Sequence, residues 1–256
     1  MNMQNKLGIL IKFLRFELKP CLVVMAPSVL TAFTFGYQGL ILPCLLKLLL
    51  CVFLLIVGGS IINDWVDIEY DRQIPRSAVR PMAARLISER WVLVCVPFFA
   101  AFLYMQFYFN PCVMIFFYLS LIMTILYPFA KRIVKAPQIF LGLINFSPIM
   151  AYVETTLADS NWIRPLSMYF MGVIWITLYD TLYAWQDLDA DKRLGLGNLG
   201  IILGKKYMPA FIELCWLVMG LCYCFQLSMP IGAIVFVMFV TVGVRMKSRF
   251  IKQQLI

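Results

Sequence analysis

Asn63-Asp64-Trp65-Val66-Asp67-Ile68-Glu69-Tyr70-Asp71 closes a long apolar run that begins at Leu40. A helix continued through this stretch sets Asn63, Asp67 and Asp71 on one face, one turn apart, with Asp64 beside them. Oxygen ligands in such a row suit a hard divalent cation such as Mg²⁺. A second row lies far downstream in Tyr179-Asp180-Thr181-Leu182-Tyr183-Ala184-Trp185-Gln186-Asp187-Leu188-Asp189-Ala190-Asp191, where Asp187 and Asp191 repeat the spacing. An isolated acid at a membrane border is commonly just a solvated helix end. Clustered carboxylates, however, repel one another unless a cation sits among them. Asp180 falls within the apolar reach of its helix, where an acid is expensive and usually functional. Two such rows together suit a metal-bound diphosphate. Arg76 and Arg80 follow the first row, and Lys131 and Arg132 follow a later apolar run. Such cations can stabilise charge developing on a departing diphosphate. Lys131-Arg132 also reads as a simple topology anchor.

Those rows need elements to hold them, and composition says which. The chain has 256 residues, 62% hydrophobic and 14% charged, and no histidine. Its mean hydropathy is +0.86. A soluble domain cannot hide that much apolar surface, so the expectation is a polytopic, all-α membrane helical bundle. All eight cysteines fall in or beside apolar runs without a CxxC pair, and they read as small hydrophobes. The net charge of +9 is spread over short connections, the signature of membrane orientation and not of a nucleic-acid patch.

Candidate spans fall at 21–37, 40–62, 91–109, 111–130, 136–153, 165–186, 207–227 and 229–244. Pro148 breaks the fifth, and the last is short. Met1 to Lys19 reads as a basic interfacial helix with no cleavage pattern, so the first span is expected to be retained. Twenty of the 22 basic residues lie on alternate connections and the two termini; the exceptions are Lys47 and Arg164. The positive-inside rule then predicts about eight spans, both termini and both acidic rows cytoplasmic, and a basic tail after Val244. The whole chain, 1–256, reads as a single domain in a plasma (inner) membrane, with a mitochondrial inner membrane as the alternative. Each acidic row ends an apolar span at a corresponding place in its half, which hints at an internal duplication.

In its motifs the chain resembles the UbiA superfamily of intramembrane prenyltransferases, most closely the 4-hydroxybenzoate polyprenyltransferases. NDxxDxxxD is carried by Asn63, Asp64, Asp67 and Asp71, and RxxxRP by Arg76 and Arg80-Pro81. YPxxKR is carried by Tyr127 to Arg132, and YDTxYAxxDxxxD by Tyr179 to Asp191. The resemblance implies a helical bundle whose central cavity opens to the cytoplasmic side and laterally to lipid. It implies Mg²⁺ held by Asn63, Asp64, Asp67, Asp71, Asp187 and Asp191, with the four aspartates at 67, 71, 187 and 191 central to catalysis. Arg76, Arg80, Lys131 and Arg132 would bind the diphosphate of a polyprenyl donor. Tyr127, Asp180, Thr181 and Tyr183 would face the substrate pocket, and an aromatic acceptor would take the prenyl group. The family usually has nine spans, one more than this reading counts. Relatives acting on another phenolic acid, a naphthoate or a porphyrin would share every motif. A cation-coupled transporter is the remaining alternative, but it would place its acids near the midplane, not at the rim.

Overall fold

The computed structural model describes residues 3–14, 18–156, 162–224, 226–227 and 229–254. Among these residues the chain is helical, without strands, and forms the expected all-α membrane bundle. Helix α1 (Met3–Leu14) leads to α2 (Leu18–Phe35) and α3 (Gln38–Val66), with the one-turn helix α4 (Ile68–Asp71) after it. Then come α5 (Cys95–Met105), flanked by 3-10 turns, and α6 (Met114–Ile133). They are followed by α7 (Pro137–Ile144), α8 (Ser147–Thr155), α9 (Ile163–Ala184) and α10 (Leu188–Leu194). The chain closes with α11 (Leu199–Cys224) and α12 (Met229–Gln254).

Five stretches among the described residues are long and apolar enough to cross a membrane: 38–66, 89–108, 111–133, 199–224 and 231–251. Helix α3, at 29 residues, is about 43 Å long, more than the hydrocarbon thickness requires. The other expected crossings are present as helices of different character: α2 is shorter, α7 and α8 divide one span, and α9 carries Asp180.

Pro148 explains the divided span, since it sits at the start of α8, where its missing N–H costs nothing. Near the break the Leu143 carbonyl accepts from the Tyr169 hydroxyl at 2.8 Å, and polar side chains there tie the break to α2. Asn145 Nδ2 donates to the Val24 carbonyl at 3.3 Å, and Ser147 Oγ donates to Asn145 Oδ1 at 2.6 Å. Ser28 Oγ on α2 then donates to Ser147 Oγ at 2.7 Å. Gly142 lets α7 lie directly on α9: a Cβ there would stand 2.6 Å from the Val173 carbonyl oxygen and 2.7 Å from Thr177 Oγ1.

Two expectations about helix ends need correction. The final helix does not stop near residue 244 but runs to Gln254, so Arg245, Lys247 and Arg249 lie on it and not in a tail. Its last turns are held by Lys247 Nζ against Glu213 Oε2 at 2.5 Å and by buried Phe250 edge-on to Trp185, 5.0 Å between ring centres. Nor does α3 pass unbroken through the first acidic row, because it turns at Asp67. Lys47, one of the two exceptions in the charge count, is paired with Glu154 at 2.6 Å and donates to the Tyr108 carbonyl, at the end of a span, at 2.8 Å.

Candidate active site

Both acidic rows straddle a point where a long helix gives way to a short one. Asp67, between α3 and α4, has φ −90° and ψ 7°; Asp187, between α9 and α10, has φ −102° and ψ 7°. The two aspartates thus share the bridge conformation, in which active-site residues are frequently found. In the first row the i to i−4 bonds survive the turn. The Asp67 amide donates to Asn63 O at 2.9 Å and the Asp71 amide to Asp67 O at 2.8 Å. Asn63, Asp67 and Asp71 therefore remain stacked as the spacing predicts. Asp64, Asp67 and Asp71 are all buried, an arrangement that four-residue spacing alone does not require.

Each buried carboxylate of the first row has a cation against it. Arg80 Nη1 reaches Asp71 Oδ2 at 2.6 Å and Asp64 Oδ1 at 3.3 Å. Lys131 Nζ stands 3.5 Å from Asp67 Oδ2, and Arg132 Nη2 stands 3.6 Å from Asp67 Oδ1 while donating to the Val66 carbonyl at 2.6 Å. Across the bundle, Arg76 grips both oxygens of Asp187, with Nε to Oδ1 at 3.0 Å, and its Nη1 donates to the Tyr183 hydroxyl at 2.7 Å. All four predicted diphosphate-binding cations thus lie directly on predicted metal-binding carboxylates. Bidentate Arg–carboxylate geometry of this kind also fits a phosphate, so the same side chains suit either partner.

Asp191 is held differently, by Asn198 Nδ2 at 2.8 Å. Tyr127 donates from its hydroxyl to Asp180 Oδ2 at 3.4 Å, linking α6 to α9 below the second row. Thr181 does not join the group: it is buried, and its hydroxyl donates to the Thr177 carbonyl of its own helix at 2.6 Å. Asp189 is exposed on the far side of α10. Burial pushes the Asp71 carboxyl above the usual carboxylate range, with the Asp67 charge adding and Arg80 opposing. Burial does the same at Asp191, where Asp187 adds while Asn198 and Lys131 oppose. Burial pulls the Arg80 guanidinium down, but Asp64 and Asp71 together outweigh it and the net shift is upward. Buried carboxylates with raised affinity for a proton would ionise more readily beside a further cation.

Sequence reasoning gave no role to Asn198 or Gln138. Asn198 caps α11 by accepting from the Gly200 amide at 2.8 Å, while its amide nitrogen holds Asp191. Gln138 Oε1 accepts from the Leu199 amide at 2.9 Å, and the Gly197 amide donates to the Lys131 carbonyl at 2.7 Å. The α6–α7 turn is thereby fastened to the loop after the second row. An Asn directly before an apolar helical run is a legible cap signal, but nothing local names Asp191 as its second partner.

Residues 24–254 match the UbiA prenyltransferase family. The chain belongs to that family and is a prenyl-group transferase. It is 32% identical over 215 residues to a 4-hydroxybenzoate octaprenyltransferase of Shewanella piezotolerans, a match covering 80% of this chain and 72% of the relative. The corresponding protein of Shewanella woodyi is 29% identical, covering 93% of this chain and 86% of its own. In fold, the chain is similar to a UbiA homologue from Aeropyrum pernix, with a TM-score of 0.70 at 20% identity over 91% of this chain and 88% of that one. A UbiA homologue from Archaeoglobus fulgidus, solved bound to GPP and Mg²⁺, superimposes with a TM-score of 0.66 at 14% identity, over 92% of this chain and 86% of that one.

The donor set suits the divalent ion of that last structure, though not as a closed cage. Among the described residues no group of three or more His, Cys, Asp or Glu is close enough to enclose a metal. Mg²⁺ does not need one, because it is commonly held through one or two carboxylates, with phosphate oxygens and water completing its shell. Two separated, all-oxygen carboxylate rows fit an ion that arrives with a diphosphate.

Proposed function

We propose that this UbiA-family chain transfers a polyprenyl group from a polyprenyl diphosphate to an aromatic acceptor, 4-hydroxybenzoate, in a Mg²⁺-dependent reaction. The observation that carries the reading is the pair of matched aspartate turns, Asp67 and Asp187, each already facing a cation suited to phosphate. Asn63, Asp64, Asp67 and Asp71 on one side, and Asp187 and Asp191 on the other, are the residues to hold Mg²⁺. When bound, the ion would neutralise the diphosphate and favour its departure. Arg76 and Arg80, with Lys131 and Arg132, would exchange part of their carboxylate contacts for diphosphate oxygens. The allylic carbon–oxygen bond breaks and its electron pair leaves with the diphosphate. A ring carbon beside the acceptor hydroxyl attacks the allylic carbon, forming the new carbon–carbon bond, and the ring then sheds its proton. Tyr127 and Asp180, joined at the base of the site, would orient the acceptor, with Tyr183 held at its edge by Arg76. Apolar helices around the site would shelter the allylic cation from water and carry the tail toward lipid.

The charge asymmetry of the connections supports a site opening to the cytoplasmic face of a plasma (inner) membrane. The test is an assay on protein in membranes with labelled polyprenyl diphosphate and a panel of phenolic acids, a naphthoate and a porphyrin. Product with 4-hydroxybenzoate, lost in excess chelator and restored by Mg²⁺, is the expected result. Preference for another ring would overturn the acceptor, and full turnover in chelator would overturn the metal.

A further inference from the structure

Between the first acidic row and the third expected span, a cleft of about 680 Å³ is lined by Arg72, Arg85, Leu86, Ser88, Glu89 and Arg90 among others. It is separate from the carboxylate rows, and the transfer chemistry uses none of its arginines. Arg72 is engaged, donating from Nε to the Ala83 carbonyl at 3.2 Å and pairing with Glu69. The Arg85 and Arg90 guanidinium groups make no hydrogen bond or ion pair among the described residues, and both side chains are exposed. Arg85 is also the one non-glycine residue described with a positive φ, at 56°. An arginine in a left-handed turn is strained, and such strain persists where the surrounding structure imposes it.

The level of this cleft says what it faces. A membrane-crossing stretch begins at Glu89, on the rim of the cleft. Trp91, the next residue after Arg90, is 44% exposed and takes the edge of Phe13 from α1 at 5.9 Å. Tryptophan collects at the boundary between headgroups and hydrocarbon, and α1 is the basic interfacial helix of the sequence. Leu86, also on the rim, is 52% exposed. Guanidinium groups without a partner among the described residues, and a serine hydroxyl, thus share one cleft with exposed Leu86, next to Trp91. The acceptor-rich, negatively charged partner that matches both halves is a lipid. Basic pockets at this level, on the side that carries most of the basic residues, are suited to anionic headgroups.

We propose that Arg85 and Arg90, with Ser88 and the flank of Arg72, bind the phosphate headgroup of an anionic membrane lipid whose acyl chains lie along Leu86 and Trp91. Glu89 opposes the headgroup charge and limits the affinity.

The test is native mass spectrometry of the full chain released from nanodiscs of phosphatidylcholine with or without phosphatidylglycerol, comparing wild type, Arg85→Gly/Arg90→Gln and Glu89→Gln. Glycine suits the left-handed turn, so the double variant is expected to fold. Wild type should retain phosphatidylglycerol over phosphatidylcholine. The double variant should lose that preference by roughly five-fold for each charge removed, and Glu89→Gln should strengthen it. Prenyl transfer in neutral detergent should be unchanged in all three. Equal lipid retention by wild type and the double variant would overturn the proposal. So would displacement of the lipid by millimolar inorganic phosphate, which would make this a site for a soluble anion.

Discussion

Asp67 and Asp187 are held in the same turn and face cations from elsewhere in the chain, so their removal should act on chemistry and not on insertion. Asp67→Ala and Asp187→Ala are each expected to lower kcat by on the order of a hundredfold, with membrane levels unchanged on immunoblot. Asp189→Ala lies only two residues from Asp187 but on the exposed side of α10, and should turn over like wild type. Thr181→Val should likewise spare kcat, since that hydroxyl serves the Thr177 carbonyl. Equal losses in all four would mean that the rows are structural. At this scale the acidic rows were legible in the sequence because four-residue spacing and charge clustering are local signals. Their partners were not. Arg76 and Asp187 are 111 positions apart, and nothing in either neighbourhood names the other. Asn198 escaped for the same reason, as its capping role is local and its bond to Asp191 depends on how α10 folds back.

Helices were legible where hydropathy decided them and misread where charge was taken as an ending. Arg245, Lys247 and Arg249 suggested that the last span stops near Val244, yet helix propensity of Lys and Arg is high and α12 continues to Gln254. The extension is held by packing that sequence periodicity does not reveal, above all Phe250 against Trp185 of the second motif. Phe250→Ala is expected to destabilise the protein by about 3 kcal/mol, read as a lower Tm in detergent. An unchanged Tm would mean that the last turns of α12 contribute nothing to the fold. Pro148 was the opposite case, a proline whose missing donor suits the first turn of α8, although Pro27, Pro43, Pro128 and Pro209 lie inside helices. The α7–α9 contact at Gly142 tests the same scale. Gly142→Val, with a β-carbon driven against the Val173 carbonyl, should cost about 1–3 kcal/mol.

For the molecule as a whole, orientation follows from where the cations lie. Single cysteines introduced at Gln73 and Phe107 in a cysteine-free background should react with an impermeant reagent from opposite sides of sealed vesicles, Gln73 from the cytoplasmic side. Labelling of both from one side would refute the alternation of spans. The pairing of Arg76 with Asp187 also has a consequence for how the protein is made. Asp64, Asp71 and the Arg80 they pair with all lie within one short segment and are synthesised together. Arg76 leaves the ribosome in the same segment, but its carboxylate partner is not synthesised until α9 is complete. While the 111 positions from Arg76 to Asp187 are made, that guanidinium lacks its carboxylate, and Asp67 likewise lacks Lys131 and Arg132 until they are made. The guanidinium charge would resist being drawn across the bilayer, favouring a connection that stays on the side where it emerged. When Asp187 is made, the counter-charge it pairs with in the folded protein is already present in the chain.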